Sequence, residues 1–182
     1  MAGTKTVGRS VAILGLVLAI TAGGVKLIDR VGRALAEPDR VDYASVADLE
    51  RAAGARLGLP GYFPESLAWP PLSVVGVGGR RSKAAVLAVG RRDARDGPCL
   101  YLAETLRGDT LPEGLLPPGA MLEDELVTVA GAPGRLRRIV APDGGSWREL
   151  RWRSDGREYA VRSLGSVLEL VRIAESFHRE GP

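Results

Sequence analysis

Trp147–Ser163, W-R-E-L-R-W-R-S-D-G-R-E-Y-A-V-R-S, is the stretch that decides the fold. A two-residue type I′ turn needs positive φ at both central residues, and Asp155-Gly156 supplies the residue types that tolerate it. Such a turn pairs Ser154 with Arg157 and fixes every later partner. Leu150 then faces Val161 and Trp152 faces Tyr159 on one side of the ribbon. On the other side Arg153 meets Glu158 and Glu149 meets Arg162, both of opposite charge. A slip of one residue would break both patterns together, so two independent constraints choose one register. The stretch is predicted as an antiparallel hairpin with one apolar face in need of a cover.

The cover follows in the chain. Ser166-Val-Leu-Glu169 is a capping box opening a helix to about Phe177, with Val167, Leu170, Val171, Ala174 and Phe177 at helical spacing. Arg172, Glu175 and Arg179 point outward on the same spacing. Upstream, strands are predicted at Leu72–Val77, Ala84–Gly90, Cys99–Leu106, Leu126–Ala130 and Leu136–Ala141, the last two joined by a hairpin turn at G-A-P-G (131–134). Gly108–Glu125 reads as a Pro/Leu loop ending in Glu123-Asp124-Glu125. Ser45 caps a short helix with an acid at Asp48 and with Val46, Leu49, Ala53 and Leu57 on one face, ending near Gly54–Gly58. The Pro- and Gly-dense stretch 57–72 cannot be regular throughout, yet its leucines, Tyr62, Phe63 and Trp69 predict a loop wrapped on the core. The fold predicted is α+β: an antiparallel sheet of five to seven strands with a C-terminal helix packed on one face, plus an N-terminal membrane helix. No repeat of fixed period is present.

That membrane helix is read from Ser10–Val25, S-V-A-I-L-G-L-V-L-A-I-T-A-G-G-V, uncharged between Arg9 and Lys26. Sixteen residues at about 1.5 Å each cover roughly 24 Å, just short of a hydrocarbon core of about 30 Å. Leu27 and Ile28 extend the apolar stretch and Lys26 can snorkel, so residues 10–28 suffice for a single span. Two other readings stay open: a signal peptide cleaved after Ala22, which would release the domain as a secreted protein, and a buried core helix. Beyond Lys26, Val25, Ile28, Val31 and Leu35 form an apolar stripe that could grip the domain or another membrane protein, until Glu37-Pro38-Asp39 stops the helix. The predicted organisation is an anchor and helical extension at 1–36, a linker at 37–44 and the domain at 45–182.

Composition agrees with one folded domain plus an appendage. Of 182 residues, 45% are apolar and 26% charged, and Gly (24) and Pro (12) argue against an all-helical bundle. There are 25 basic and 22 acidic residues, a net charge of +3. The excess lies wholly in residues 1–40, while residues 41–182 hold 19 of each sign. The charge therefore marks a membrane-proximal segment, and nucleic-acid binding is not expected. Lys5 and Arg9 precede the span, and Lys26, Arg30, Arg33 and Arg40 follow it closely, so the positive-inside rule by itself does not favour export of the domain.

Reactive constellations are missing from the sequence. Cys99 is the single cysteine, so no intrachain disulfide exists, and on a predicted strand it reads as an inert buried thiol. His178, the single histidine, falls at the last predicted helical turn and cannot by itself build a zinc site or a triad. Gly76-Val-Gly78-Gly79 lacks the spacing of a phosphate loop and reads as a strand turn. Glu123-Asp124-Glu125 reads as a solvated run. The basic groups Arg80, Arg81, Lys83, Arg91, Arg92 and Arg95, and again Arg135, Arg137 and Arg138, read as solvated turns, the first group with the alternative of contact with acidic headgroups or an anionic partner. No catalytic, metal or cofactor site is predicted, and the binding residues are left unassigned.

V-T-V-A-G-A-P-G (127–134), L-R-W-R-S-D-G-R-E-Y-A-V (150–161) and L-E-L-V-R-I-A-E-S-F (168–177), with P-G-Y-F-P-E-S-L (60–67) upstream, resemble an uncharacterised bacterial extracytoplasmic domain. That domain sits behind a single membrane helix, including at the outer end of anti-sigma factors, and is distantly similar to lipoprotein-carrier and sensor half-barrels. The resemblance implies a domain on the extracytoplasmic side, N-terminus in, and supplies no catalytic residue. Only about nine residues precede the span, so no sigma- or zinc-binding domain does. The expectation is a non-enzymatic, membrane-tethered binding or sensory domain with another membrane or envelope protein as partner. The alternative is an accessory single-span subunit of a larger membrane complex. A concave sheet under the closing helix would take an apolar or lipid ligand, unless Leu150, Trp152, Tyr159 and Phe177 fill that space.

Overall fold

A computed structural model describes residues 39–79, 82–93, 97–108 and 110–178. The predicted membrane helix at residues 10–28 and its extension lie outside the described residues, as do Arg80, Arg81 and Arg95. No helix among the described residues is long and apolar enough to cross a membrane.

The elements in chain order are β1 (Arg40–Tyr43), α1 (Val46–Ala53), β2 (Leu59–Pro60), β3 (Ser73–Val77), β4 (Ala84–Gly90), β5 (Pro98–Thr105), β6 (Ala120–Val129), β7 (Ala132–Val140), β8 (Ser146–Ser154), β9 (Arg157–Ser163), α2 (Val167–Glu175) and β10 (Phe177–His178). Eight strands form one antiparallel sheet in the order β1-β3-β4-β5-β9-β8-β7-β6, and β2 pairs β10 separately. The sheet has one strand more than the upper limit of the prediction. The extra strand is β1, which lies inside the predicted linker 37–44 and pairs Arg40 with Val77 and Tyr43 with Val74. Four residues, mostly exposed, carry too little alternation to reveal an edge strand from sequence.

The β8–β9 register is the predicted one throughout: Ser154 opposite Arg157, Trp152 opposite Tyr159, Leu150 opposite Val161, Glu149 opposite Arg162. Asp155 and Gly156 turn at φ 51° and 73°, as a type I′ turn demands. The β6–β7 turn departs from expectation. Val129 pairs with Ala132, so the turn residues are Ala130 and Gly131, at φ 48° and 84°, and Pro133 already belongs to β7. An alanine in the left-handed region is uncommon enough to hide this turn from a residue-type search.

The predicted loop 108–125 is shorter than expected. β6 begins at Ala120, which puts Glu123, Asp124 and Glu125 in the middle of a strand. Aspartate and glutamate are poor strand formers, but here Glu123 and Asp124 stand opposite Arg138 and Arg137 on β7, and the cross-strand charge offsets the propensity.

Both helices start where their caps predict. Ser45 accepts from the Asp48 amide and Ser166 from the Glu169 amide. Helix α2 stops two residues early, at Glu175, because Ser176 caps it and Phe177–His178 turn out to pair with Leu59–Pro60. His178 is therefore a strand residue, not the last turn of a helix. The buried stripe of α2 is Leu170, Ile173 and Ala174, and Val167 lies at its exposed edge.

Strand alternation divides the core in two. On one face Leu87, Val89, Leu100, Leu102, Leu150, Trp152 and Val161 pack with α1, α2 and the 57–72 segment. On the other, Val77, Ala84, Val86, Ala103 and Ala160 pack with Leu111, Leu115 and Leu116. Topology requires this second cover. β5 lies beside β9 but the next strand, β6, forms the far edge, so residues 106–119 must cross over β9, β8 and β7 to reach it. The crossing strap brings its leucines down on the face that the hairpin pattern had left polar.

Candidate binding surfaces

The space beneath α2 is closed. Trp152 and Tyr159 stack with ring centroids 5.2 Å apart, and Phe177 sets its ring across both, at 5.3 Å and 5.5 Å. Leu150, Trp152 and Tyr159 are buried. Beside them lie a gap of ≈ 10 Å³ at Leu57, Leu87 and Leu102, and one of ≈ 60 Å³ at Val129, Trp152 and Phe177. Small-molecule pockets run to roughly 300–1,000 Å³, so neither gap admits a lipid chain. Among the described residues the four side chains named from the sequence occupy this space.

Glu104 lies at the margin of the same face. Its carboxylate accepts from the Gly58 amide at 2.6 Å and from the Arg157 guanidinium, which also donates to the Arg56 carbonyl at 2.9 Å. A buried carboxylate held this way anchors the loop after α1 to the hairpin.

The second face holds a longer array of charge. Glu149, 1% exposed, accepts from Arg162, itself 6% exposed, and from Arg151 at 2.6 Å, with Arg137 at 3.7 Å. Arg162 also donates to the Pro117 carbonyl, and Glu158 accepts from the Leu111 amide at 2.9 Å, so the strap is tied to the sheet at both ends. Removing one partner of a pair buried this deeply leaves an uncompensated charge, worth about 3–5 kcal/mol.

Further toward the β6 edge the strap gives way to an open surface. Asp124 bridges Arg135 at 2.6 Å and Arg137 at 3.5 Å. Partial burial would raise the Asp124 pKa, but the Arg135 hydrogen bond and the two guanidinium charges outweigh it and hold the carboxyl below its ordinary range. The cross-strand pair Arg153–Glu158 is in register, yet Glu158 is engaged by Leu111 and by Arg151 at 3.8 Å. Among the described residues Arg153 makes no ion pair. The buried Nε of Arg137 is the atom that faces Asp124, at ion-pair distance rather than in a good hydrogen bond. Arg135, Arg137, Arg151 and Arg153, with Leu126, Pro133, Gly134, Trp152 and the single carboxylate Glu158, line a shallow depression of ≈ 340 Å³, and Leu126 is 79% exposed.

The remaining sequence candidates fall into place individually. Cys99 is half-buried and points its thiol at the Val89 carbonyl, 3.6 Å away, and burial pushes its pKa up, away from nucleophilic thiolate. Gly76 belongs to β3, and Gly78 and Gly79 turn the chain at positive φ, as a strand turn should. Arg91 pairs with Asp93 at 3.2 Å. Arg138 pairs with Glu123 at 2.8 Å, on the opposite face from Arg137. The acidic run is thus divided between the two faces, and among the described residues no group of three His, Cys, Asp or Glu side chains could hold a metal ion. Sequence reading kept Arg135, Arg137 and Arg138 as one basic cluster and left out Arg151 and Arg153. The signal available was the R-x-R spacing in both β7 and β8, which pleat alternation places on one face.

No protein-family model, curated protein or solved structure matches this chain.

Proposed function

We propose that the protein is a non-enzymatic binding or sensory domain, held at the cell membrane by residues 10–28 and displayed on the extracytoplasmic side. The observation that carries this reading is the uncharged stretch Ser10–Val25 between Arg9 and Lys26, followed within about fifteen residues by β1 at Arg40. The neutral balance of residues 41–182 and the resemblance of residues 127–134, 150–161 and 168–177 to extracytoplasmic domains support it. The partner class is another membrane or envelope protein. A lipid under α2 is left out of the proposal, because the aromatic rings occupy that space. The buried carboxylates Glu104 and Glu149 are bound by arginines, which supports a structural use of both.

The stripe Val25, Ile28, Val31 and Leu35 favours a second reading, an accessory single-span subunit of a larger membrane complex. One experiment addresses anchoring and side together. The full chain is expressed with Pro182 fused in turn to a phosphatase active only outside the cytoplasm and to a fluorescent protein that matures only inside it. Phosphatase activity in alkali-washed membranes is the expected result. Activity in the soluble fraction would point to signal cleavage, and fluorescence alone would reverse the orientation. Co-purification in mild detergent separates the readings: a monomer of 19.3 kDa counts against the subunit.

A further inference from the structure

We propose that the open half of the sheet's second face, centred on Arg135, Arg151 and Arg153, docks an acidic protein segment bearing an apolar side chain. This deepens the binding reading and does not depend on the tether.

Charge complementarity carries the inference. Among the described ion pairs of this face, Arg135, Arg137, Arg151 and Arg162 share three carboxylates, Asp124, Glu149 and Glu158, and Arg153 adds a fifth positive charge. The surplus is not spread evenly. Arg162 is consumed under the strap and Arg137 faces Asp124 and Glu149, while the exposed Arg153 has no ion-pair partner among the described residues. The uncommitted guanidinium lies on the open side. Guanidinium forks suit carboxylates, and Arg162 already directs two of its N–H groups at one Glu149 oxygen. Leu126, beside Arg135 in the β6–β7 ladder, offers an apolar contact within the charged rim. One exposed leucine is too little for insertion among lipid chains, and the aromatic ring in the lining, Trp152, is 5% exposed and stacked in the core, out of reach of a base. A carboxylate-rich protein segment with a single apolar anchor answers all of these features.

The test is fluorescence anisotropy of a short labelled polyglutamate peptide with a central leucine, titrated with the full-length protein in nonionic detergent. Saturable binding that weakens with added salt is expected, with the matching polylysine peptide inert. Arg135→Glu with Arg153→Glu should weaken binding about tenfold or more, and the milder Arg135→Gln with Arg153→Gln should weaken it less, both with unchanged circular dichroism. Leu168→Ser, on the exposed side of α2, should leave binding intact. Absent binding, equal binding of the lysine peptide, or affinity unmoved by both arginine variants would overturn the proposal. Stronger competition by phosphatidylglycerol than by unlabelled acidic peptide would assign the surface to lipid headgroups and overturn it too. A failed tether shows in the phosphatase fusion and leaves this assay unaffected.

Discussion

On the helix side of the sheet, Leu150, Trp152, Tyr159 and Phe177 pack against α2 as an apolar cluster; on the strap side, Glu149 and Arg162 are equally buried yet charged. The same hairpin supplies both sets, alternating residue by residue. The difference teaches that alternation sorts side chains by face but does not say which face meets water. On the first face the apolar pattern and its cover adjoin in sequence. On the second, the cover is a strap whose path follows from β6 lying at the far edge, a long-range property.

Each face therefore has its own way to fail. The largest effect is expected from Trp152→Ala, which removes the centre of the aromatic cluster and should cost about 3–5 kcal/mol in denaturant unfolding. A loss under about 1 kcal/mol would mean that the cluster is loosely packed. The charged face should behave differently. Arg162→Met or Glu149→Leu alone should cost nearly as much, about 3–5 kcal/mol, whereas the double variant should recover most of it, because an apolar pair replaces a buried ion pair at little net cost. Strictly additive losses would contradict that account.

At the helix end of the first face, Ser166→Ala removes one N-cap acceptor and should cost about 1 kcal/mol. The smallest effect concerns the open rim. Asp124 ionises below its ordinary range when folded, so its contribution to stability is present above that range and fades as pH falls through the folded value. Carboxyl NMR titration should place its midpoint below that of an ordinary aspartate, and Arg135→Gln should move it upward. A midpoint unmoved by Arg135→Gln would detach Asp124 from the rim.

What the sequence revealed follows the same division. The β8–β9 register, both N-caps and the bounds of β4 were legible because each rests on neighbours within a few residues. The start of β6 was not, since Glu123 and Asp124 lower strand propensity and their compensation comes from Arg138 and Arg137 across the ladder. Ala130-Gly131 was missed because alanine disguises the turn. The arginine surface was half legible: R-x-R occurs in both β7 and β8, but only the β7–β8 pairing of Arg135 with Arg151 joins them into one surface.

The proposed docking surface is the open arginine half of the second face. Its most direct test follows the arginine Nε–H resonances of the full-length protein during titration with the acidic peptide. Shifts at Arg135, Arg151 and Arg153, with Arg162 unmoved beneath the strap, are the expected result. Shifts confined to Arg91 and Arg172, or none at saturating peptide, would contradict it.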